Sequence, residues 1–357
     1  MSFPPGDSEF AFELASCAWA EQEWPPTGEP TPAIVARQLG WQQRRWDTIV
    51  IEVEPDAFET RAAFGPERLN SDLRHVLQHA PESWTYYREA LPHPGYPWRY
   101  VRESIHEATA RDALESRKRG GQIEIRRVEK YPDWVDRIIA IENKPDLDAS
   151  AARRLTDQLE RDVAAGIADE VWLATTGTDS RVEPALLERI PSEVGILTLG
   201  PEGVDVRWRP RTLDTEQAGI DILDRSEGGS HDQSAAQFEV LSRAAKSEKR
   251  YDIAERAYER GWRHYVESMR PDCAHFDLTV GRYGYRPTCT AFDRTQTPRE
   301  CRGSCPHFQP EPPQHRQGGW PIEGGPGQTV KRILRERSAR RHSVSSTVTS
   351  DRGTASR

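Results

Sequence analysis

The stretch Asp136-Arg-Ile-Ile-Ala-Ile-Glu-Asn-Lys144 decides the fold, because its run of branched apolar residues predicts a buried strand of a central sheet. Pro145 follows at once and ends the strand, since proline cannot donate a ladder hydrogen bond. Alternate side chains of a strand share a face, so Glu142 and Lys144 project together, about 6 to 7 Å apart. A carboxylate that can bind a hard divalent cation therefore lies beside an ammonium that can serve an attacking water.

A second strand is predicted at Asp47-Thr-Ile-Val-Ile-Glu-Val53, which is rich in β-branched residues. A metal site needs a second carboxylate, and Asp136 cannot supply it, because six rises of about 3.3 Å place it roughly 20 Å from Glu142. Asp47 lies about 5 Å from Glu142 if the two strands pair antiparallel. The sequence therefore predicts Asp47 and Glu142 as partners.

Helices are predicted on either side of these strands. Residues 8–24 form the first, with Glu13 and Cys17 on one face and a Pro-Pro stop after it. Residues 149–165 form the second, with a regular apolar stripe. The fold class is therefore α/β, a mixed central sheet flanked by helices. Further short strands are predicted at 170–175, 195–199 and 204–208.

This order of elements and residues resembles the PD-(D/E)xK nuclease superfamily, and the resemblance covers residues 8–210. It is carried by Glu13 in the first helix, Asp47 in one strand, Glu142-Asn143-Lys144 in the next and Gln158 in the following helix. The resemblance implies a restriction-endonuclease-like fold in which Asp47, Glu142 and the carbonyl of Asn143 bind Mg²⁺ or Mn²⁺. It also implies that Lys144 activates water, that Glu13 lies in or near the metal site, and that Gln158 lies near the catalytic site, as in RecB-like members.

Two features depart from that family pattern. No proline precedes Asp47, and about ninety residues separate Asp47 from Glu142 where a short hairpin is common. The core is therefore expected to comprise residues 8–67 and 131–212, with an insert at 68–130. The insert must loop out without disturbing the pair of strands.

The insert predicts helices followed by a hairpin around Gly120-Gly121, an order typical of a winged helix. Its basic side chains suit phosphate contacts with duplex or branched DNA. An equally weighted alternative is that the hairpin continues the sheet and its charges are solvated. The candidate DNA-binding residues are Arg117, Lys118, Arg119, Arg126 and Arg127.

A third segment, residues 213–310, predicts a helical module with helices near 234–247 and 249–268, followed by irregular chain that carries cysteines. Because disulfides are disfavoured in the cytosol, these thiols predict a Zn²⁺ site or an iron–sulfur cluster, with two nearby histidines as substitutes. The nuclease resemblance implies another set, in which Cys17 replaces the first cysteine of the segment. The residues concerned are Cys273, Cys289, Cys301, Cys305, His275 and His307.

Composition narrows the function classes. The net charge is −8, so a nucleic-acid site must be a local basic patch. No apolar run approaches the roughly 18 residues of a membrane span, and Met1 to Phe10 lacks a secretory signal, so a cytoplasmic protein is expected. The tail 311–357, rich in Pro, Gly, Ser and Arg, is expected to be disordered.

Only six residues are lysine, while acidic residues and arginine are abundant, which predicts a high-salt or high-GC source. In this the chain also resembles an uncharacterised family of haloarchaeal proteins. The expected function is a Mg²⁺-dependent deoxyribonuclease. Two competing expectations are a non-catalytic DNA-binding regulator and a cluster-bearing redox or repair accessory factor.

Overall fold

The computed structural model describes residues 8–29, 31, 33–42, 44–145, 149–176, 190–200, 203–225, 236–264, 270–281, 284–297, 300–301, 305–313 and 315. The chain divides into two compact units. Of the described residues, those up to Val53 and from Val135 to Pro313 form the first unit, and Glu54–Trp134 with His315 form the second. None of the helices described in them combines the length and apolar character that a membrane crossing requires.

A six-stranded mixed sheet forms the centre of the first unit. Its strands are β1 Ala33–Trp41, β2 Arg44–Val53, β6 Val135–Asn143, β7 Glu170–Thr176, β8 Gly195–Gly200 and β9 Gly203–Trp208, in the spatial order β1-β2-β6-β7-β8-β9. The pairs β6–β7 and β7–β8 are parallel, and the other three pairs are antiparallel. The antiparallel pairing of β2 with β6 is the arrangement that the predicted carboxylate pair requires.

Helices cover the sheet. α1, Ser8–Glu23, contacts β1, β2 and β6 and buries its apolar side chains with Val35, Val50 and Ile139. Side chains on the other face of the sheet, such as those of Ile34 and Ile49, are also fully buried. α7, Arg243–Arg260, packs against the same three strands. α6, Ala149–Ala165, connects β6 to its parallel neighbour β7, as a crossover must.

Two sequence expectations are corrected here. β1 was not foreseen, because Arg37-Gln38 interrupts the apolar alternation of its sequence. The helices expected at 234–247 and 249–268 are instead one strand and one helix: β11, Ala236–Leu241, pairs with β10, Gly219–Arg225, and α7 follows. The Ser242 side chain accepts a hydrogen bond from the Ala245 N–H and so begins α7 at that point.

The second unit contains α2 Pro55–Ala62, α3 Ser71–His79, β3 Thr85–Tyr86, α4 Tyr87–Ala90, α5 Trp98–Ala110, β4 Leu114–Arg119 and β5 Gln122–Arg127. Its three strands lie in the order β3-β5-β4. The unit covers more residues than the expected 68–130, because it also contains α2. The ring of Phe58 in α2 lies 5.7 Å from the ring of Trp134. The Glu54 carboxylate caps α2 at the Ala57 N–H.

The cysteine-bearing segment was expected to form a module of its own, but it belongs to the same compact unit as the sheet. The physical reason is that the segment shares the hydrophobic core of the sheet. One buried cluster contains Trp19 of α1 together with Trp262, Cys273 and Phe276. Three short strands form a further sheet there: β12 Phe276–Gly281, β13 Gly284–Cys289 and β14 Arg294–Thr295. Of the expected disordered tail, all but residues 311–313 and 315 lies outside the described residues.

Candidate functional site

Asp47 and Glu142 meet where β2 begins and β6 ends. The β2–β6 ladder pairs Thr48 with Ile141, and one further step of the same register places Asp47 opposite Glu142. The backbone N–H of Asn143 donates a hydrogen bond of 2.9 Å to Oδ2 of Asp47. Glu142 is only 5% exposed. The two carboxylates that the sequence predicts as partners are therefore neighbours in the structure.

Glu13 of α1 joins them through Gln38. The Gln38 amide nitrogen donates to Oε2 of Glu13 at 3.0 Å and to Oδ1 of Asp47 at 3.2 Å. Gln38 has a φ of 55°, which is uncommon for a residue with a side chain, and the β1–β2 ladder omits the Gln38–Asp47 pair. This local irregularity turns the amide toward the two carboxylates. Sequence reasoning missed Gln38 because it missed the strand that carries it.

Arg44 and Asp162 complete the buried part of the cluster, and neither was foreseen. The Arg44 guanidinium donates to both carboxylate oxygens of Asp162, at 2.8 and 2.6 Å, and to Oε2 of Glu142 at 3.0 Å. A signal for Asp162 existed, because it lies on the α6 stripe of Leu155 and Leu159, where an acidic residue is out of place.

Gln158, one turn before Asp162 on α6, was expected near the catalytic site. Its side chain is exposed, and it forms no hydrogen bond with the other described residues of the cluster. Asp162 therefore occupies the helix position that faces the carboxylates.

Lys144 lies beside both central carboxylates. Its backbone N–H donates to the Ala174 carbonyl at 2.8 Å, which anchors the end of β6 against β7. Its ammonium is half-buried and forms an ion pair with Glu9. Burial opposes the charged form, but Glu9, Asp47 and Glu142 outweigh burial and raise the pKa of Lys144. The lysine is therefore protonated at neutral pH.

The carboxyl groups of the cluster resist ionisation. Burial, and then the charge of Asp47, raises the pKa of Glu142 to about 7 despite Arg44. Burial also raises the pKa of Asp47, against the hydrogen bond from Asn143. The same cause raises the pKa of Glu13 and of Asp162, although each carboxyl group has an arginine partner. Burial is therefore the common cause of the raised pKa values of these four carboxyl groups.

The charges of the cluster do not balance. If every group is ionised, its carboxylates exceed its cations by two, the charge of one divalent ion, and the raised carboxyl pKa values reduce that excess. The carboxylates are Glu9, Glu13, Asp47, Glu142 and Asp162, and the cations are Arg37, Arg44 and Lys144. Oxygen ligands of this kind suit Mg²⁺. However, no three His, Cys, Asp or Glu side chains in the described parts of the chain already form a metal-binding group.

The structure brings together the four C-terminal cysteines. They line one cavity of about 20 Å³, and His275 and His307 also lie in its wall. All four cysteines are reduced thiols. Burial, and in addition its three cysteine neighbours, raises the pKa of Cys301. Cys17 is not in the wall of this cavity. Its sulfur instead lies 3.3 Å from Thr48 Oγ1, in the core under α1, so the alternative set that includes Cys17 is not assembled.

The basic hairpin of the second unit is partly neutralised. Arg117 and Arg126 donate to Glu124 and Glu115 across the β4–β5 ladder, each at 2.6 Å, and Arg127 pairs with Glu82. Lys118 and Arg119 are exposed and form no ion pair with a residue that the structure describes. Of the five candidate DNA-binding residues, these two present their charge most openly.

Neither a curated protein nor a solved structure matches the chain. The model of a family of unknown function, DUF5787, matches residues 34–310. The matched region contains Asp47, Glu142 and Lys144 as well as the four cysteines of the cavity, whereas Glu13 precedes it. Because the match covers more than half of its length, the chain belongs to the DUF5787 family.

Proposed function

We propose that this protein is a metal-dependent nuclease of the PD-(D/E)xK type that hydrolyses phosphodiester bonds of DNA. One observation carries the proposal: Asp47 and Glu142 meet at the end of the sheet, and the Lys144 ammonium interacts with both. Two acids and one lysine at a common edge are the groups that such hydrolysis needs.

The order of elements supports a restriction-endonuclease-like fold for the first unit. Helix α1 is followed by strands that pair antiparallel, β1 with β2 and β2 with β6, and then by α6 and the parallel strand β7. The unit between β2 and β6, Glu54–Trp134, is the insertion expected from the roughly ninety residues that separate Asp47 from Glu142.

The charge of the site supports a divalent cation. Asp47 and Glu142, with the carbonyl of Asn143, would hold it. Glu13 is close enough to Asp47 for the charge of Asp47 to raise the pKa of Glu13. A hard cation such as Mg²⁺ or Mn²⁺ supplies, when bound, Lewis-acid polarisation of the phosphate and a water of lowered pKa. Its binding would displace the protons that the raised carboxyl pKa values retain.

The chain's own residues define the other roles. Because the pKa of Lys144 is raised, its ammonium remains charged and orients the water and stabilises negative charge on the phosphorane, instead of accepting the water's proton. Its partner Glu9 is largely exposed, so this ion pair is weak and Lys144 can turn toward a phosphate. Gln38 holds Asp47 in place through its amide.

The test uses purified protein with supercoiled, linear and single-stranded DNA, in Mg²⁺ or Mn²⁺, from low salt to several molar KCl. We expect cutting that EDTA stops and that Lys144→Ala and Asp47→Asn abolish. Asp136→Asn is the matched control, since Asp136 is an exposed carboxylate at the other end of β6, and it should cut as the wild type does. Equal cutting by wild type and Lys144→Ala would refute the nuclease assignment.

A second function, a DNA-binding regulator with a purely structural core, is favoured by one observation. Arg44 already neutralises Oε2 of Glu142, the position at which a cation would be expected. The second unit, with its order of helices, strand and closing hairpin and its sheet order β3-β5-β4, is winged-helix-like and could bind duplex DNA alone. Retention of DNA without cutting, in every metal and salt tested, would favour this alternative.

A further inference from the structure

The four C-terminal cysteines converge from separate parts of one small sheet. Cys273 lies three residues before β12, and Cys289 ends β13, where it pairs with Phe276. Cys301 and Cys305 follow β14. All four line the 20 Å³ cavity described above. This convergence depends on the pairing of the three strands, because the cysteines are spread over more than thirty residues of sequence.

Backbone N–H groups point at two of the sulfurs. The Gln309 N–H donates to Cys273 Sγ at 3.5 Å, and the Arg270 N–H donates to Cys301 Sγ. Such bonds stabilise a thiolate more than a thiol, because the acceptor then carries a full charge. Four thiolates around one cavity would repel one another, so a cation must lie between them if they ionise.

The segment that holds these cysteines has little apolar core of its own. β14 has only two residues, so the small sheet depends on packing against the rest of its unit. Its apolar side chains, such as Leu278 and Phe308, pack onto the main core. The five cysteines are free, so no disulfide adds to its stability. Small folds of this kind are commonly stabilised by a structural metal.

We propose that Cys273, Cys289, Cys301 and Cys305 bind a single Zn²⁺ ion as a closed tetrahedral structural site. Four cysteines around one cavity match the tetrahedral four-thiolate coordination of structural zinc. Four cysteines also ligate iron–sulfur clusters, so the experiment below distinguishes the two by their metal content.

The four thiols must move closer together to bind the ion. Among the described residues no three such side chains already stand as a formed metal group, and zinc needs Zn–S distances of about 2.3 Å. Binding would therefore draw the four sulfur atoms closer together. Four thiolates leave zinc no open position, so the site stabilises the fold and takes no part in hydrolysis.

The experiment measures metal in the full-length protein, purified under reducing conditions without added chelator. Elemental analysis should find about one zinc per chain and negligible iron. Exchange with Co²⁺ should give the visible absorption of a tetrahedral thiolate complex. Cys289→Ser and Cys301→Ser should reduce the zinc content to a small fraction of that value, whereas Cys17→Ala, His275→Ala and His307→Ala should retain it.

Two outcomes would overturn the proposal, and neither depends on whether a variant folds. One is wild-type protein that carries iron and absorbs visible light as purified, which would assign a cluster. The other is wild-type protein that contains no zinc and takes up neither Zn²⁺ nor Co²⁺ when its thiols are reduced. The result is independent of nuclease activity, because Lys144→Ala should still contain a full complement of zinc even if it cuts no DNA.

Discussion

Asp47 and Glu142 are cross-strand neighbours although the whole of Glu54–Trp134 lies between them in the sequence. The chain leaves β2 at Val53 and enters β6 at Val135, and these two residues pair with each other. The insertion is accompanied by one register shift in the ladder, between Glu52 and Val53, and from Glu52 to Thr48 the two strands pair without a further shift. The loop-closure entropy it adds grows only with the logarithm of its length, so the pair of acids tolerates a long interruption.

The first prediction concerns how the free energy of unfolding depends on pH when no divalent cation is present. The pKa of Glu142 is about 7 in the folded protein and 4.5 when exposed, so folding favours its neutral form. Its contribution to stability is present below pH 4.5 and is lost as pH rises to about 7, and it amounts to about 3 kcal/mol. Urea unfolding of wild type and Glu142→Gln between pH 4.5 and 8 measures it. The variant should be less sensitive to pH, while Asp136→Asn should follow the wild type.

The second prediction concerns Arg44. Its removal leaves Asp162 and Glu142 buried without their cation, so Arg44→Gln should destabilise the protein by about 3 to 5 kcal/mol at neutral pH. Adding Asp162→Asn should recover part of the loss, because one of the unpaired charges is then gone. Arg45→Gln changes an exposed neighbour and should cost less than about 0.5 kcal/mol. Additive losses in the double variant would contradict the ion pair.

The third prediction separates positioning from stability at Gln38. Gln38→Gly keeps the positive φ without strain but removes the amide that joins Glu13 to Asp47. We expect DNA cutting to fall about 10- to 100-fold, while the free energy of unfolding is unchanged or higher. A variant that cuts normally would show that the amide does not position Asp47.

The fourth prediction compares two residues one turn apart on α6. Gln158 is exposed, so Gln158→Ala should leave cutting and stability unchanged. Asp162 is buried against Arg44, so Asp162→Asn should reduce cutting, because Arg44 then binds Glu142 without competition. If loss of Gln158 were the more damaging change, the role implied by the family resemblance would hold in solution despite its exposed position.

The fifth prediction addresses DNA binding by the second unit. Lys118→Ala with Arg119→Ala should weaken DNA binding and reduce the slope of log K against log salt by about 1 for each lost phosphate contact. Arg117→Ala is the matched control from the same strand, and it should have a smaller effect because Arg117 is paired with Glu124 and lies 4.3 Å over the Trp84 ring. Unchanged binding in the double variant would place the DNA site elsewhere.

Much of the fold could be predicted because its main elements carry strong local patterns. Strands β2 and β6 have long β-branched runs, and α6 has an apolar stripe at helical spacing, interrupted at Asp162, so their bounds were predicted to within three residues. β1 could not be found in the same way, since Gln38 adopts a positive φ within it and breaks the alternation. β11 was mistaken for helix because an isolated two-stranded sheet depends on its partner strand for its conformation.

The sequence by itself determined which groups could do chemistry: a Glu–x–Lys at a strand end, an aspartate at the start of another strand, and four cysteines in a segment without its own core. Only the tertiary structure decided that Glu142 and Asp162 share Arg44, that Gln38 bridges Asp47 and Glu13, and that Cys17 is separate from the cysteine cavity. The physical reason is the distance along the sequence over which each kind of interaction acts. Strand and helix propensity act between near neighbours, whereas burial, charge and hydrogen bonding join side chains that lie far apart in the chain.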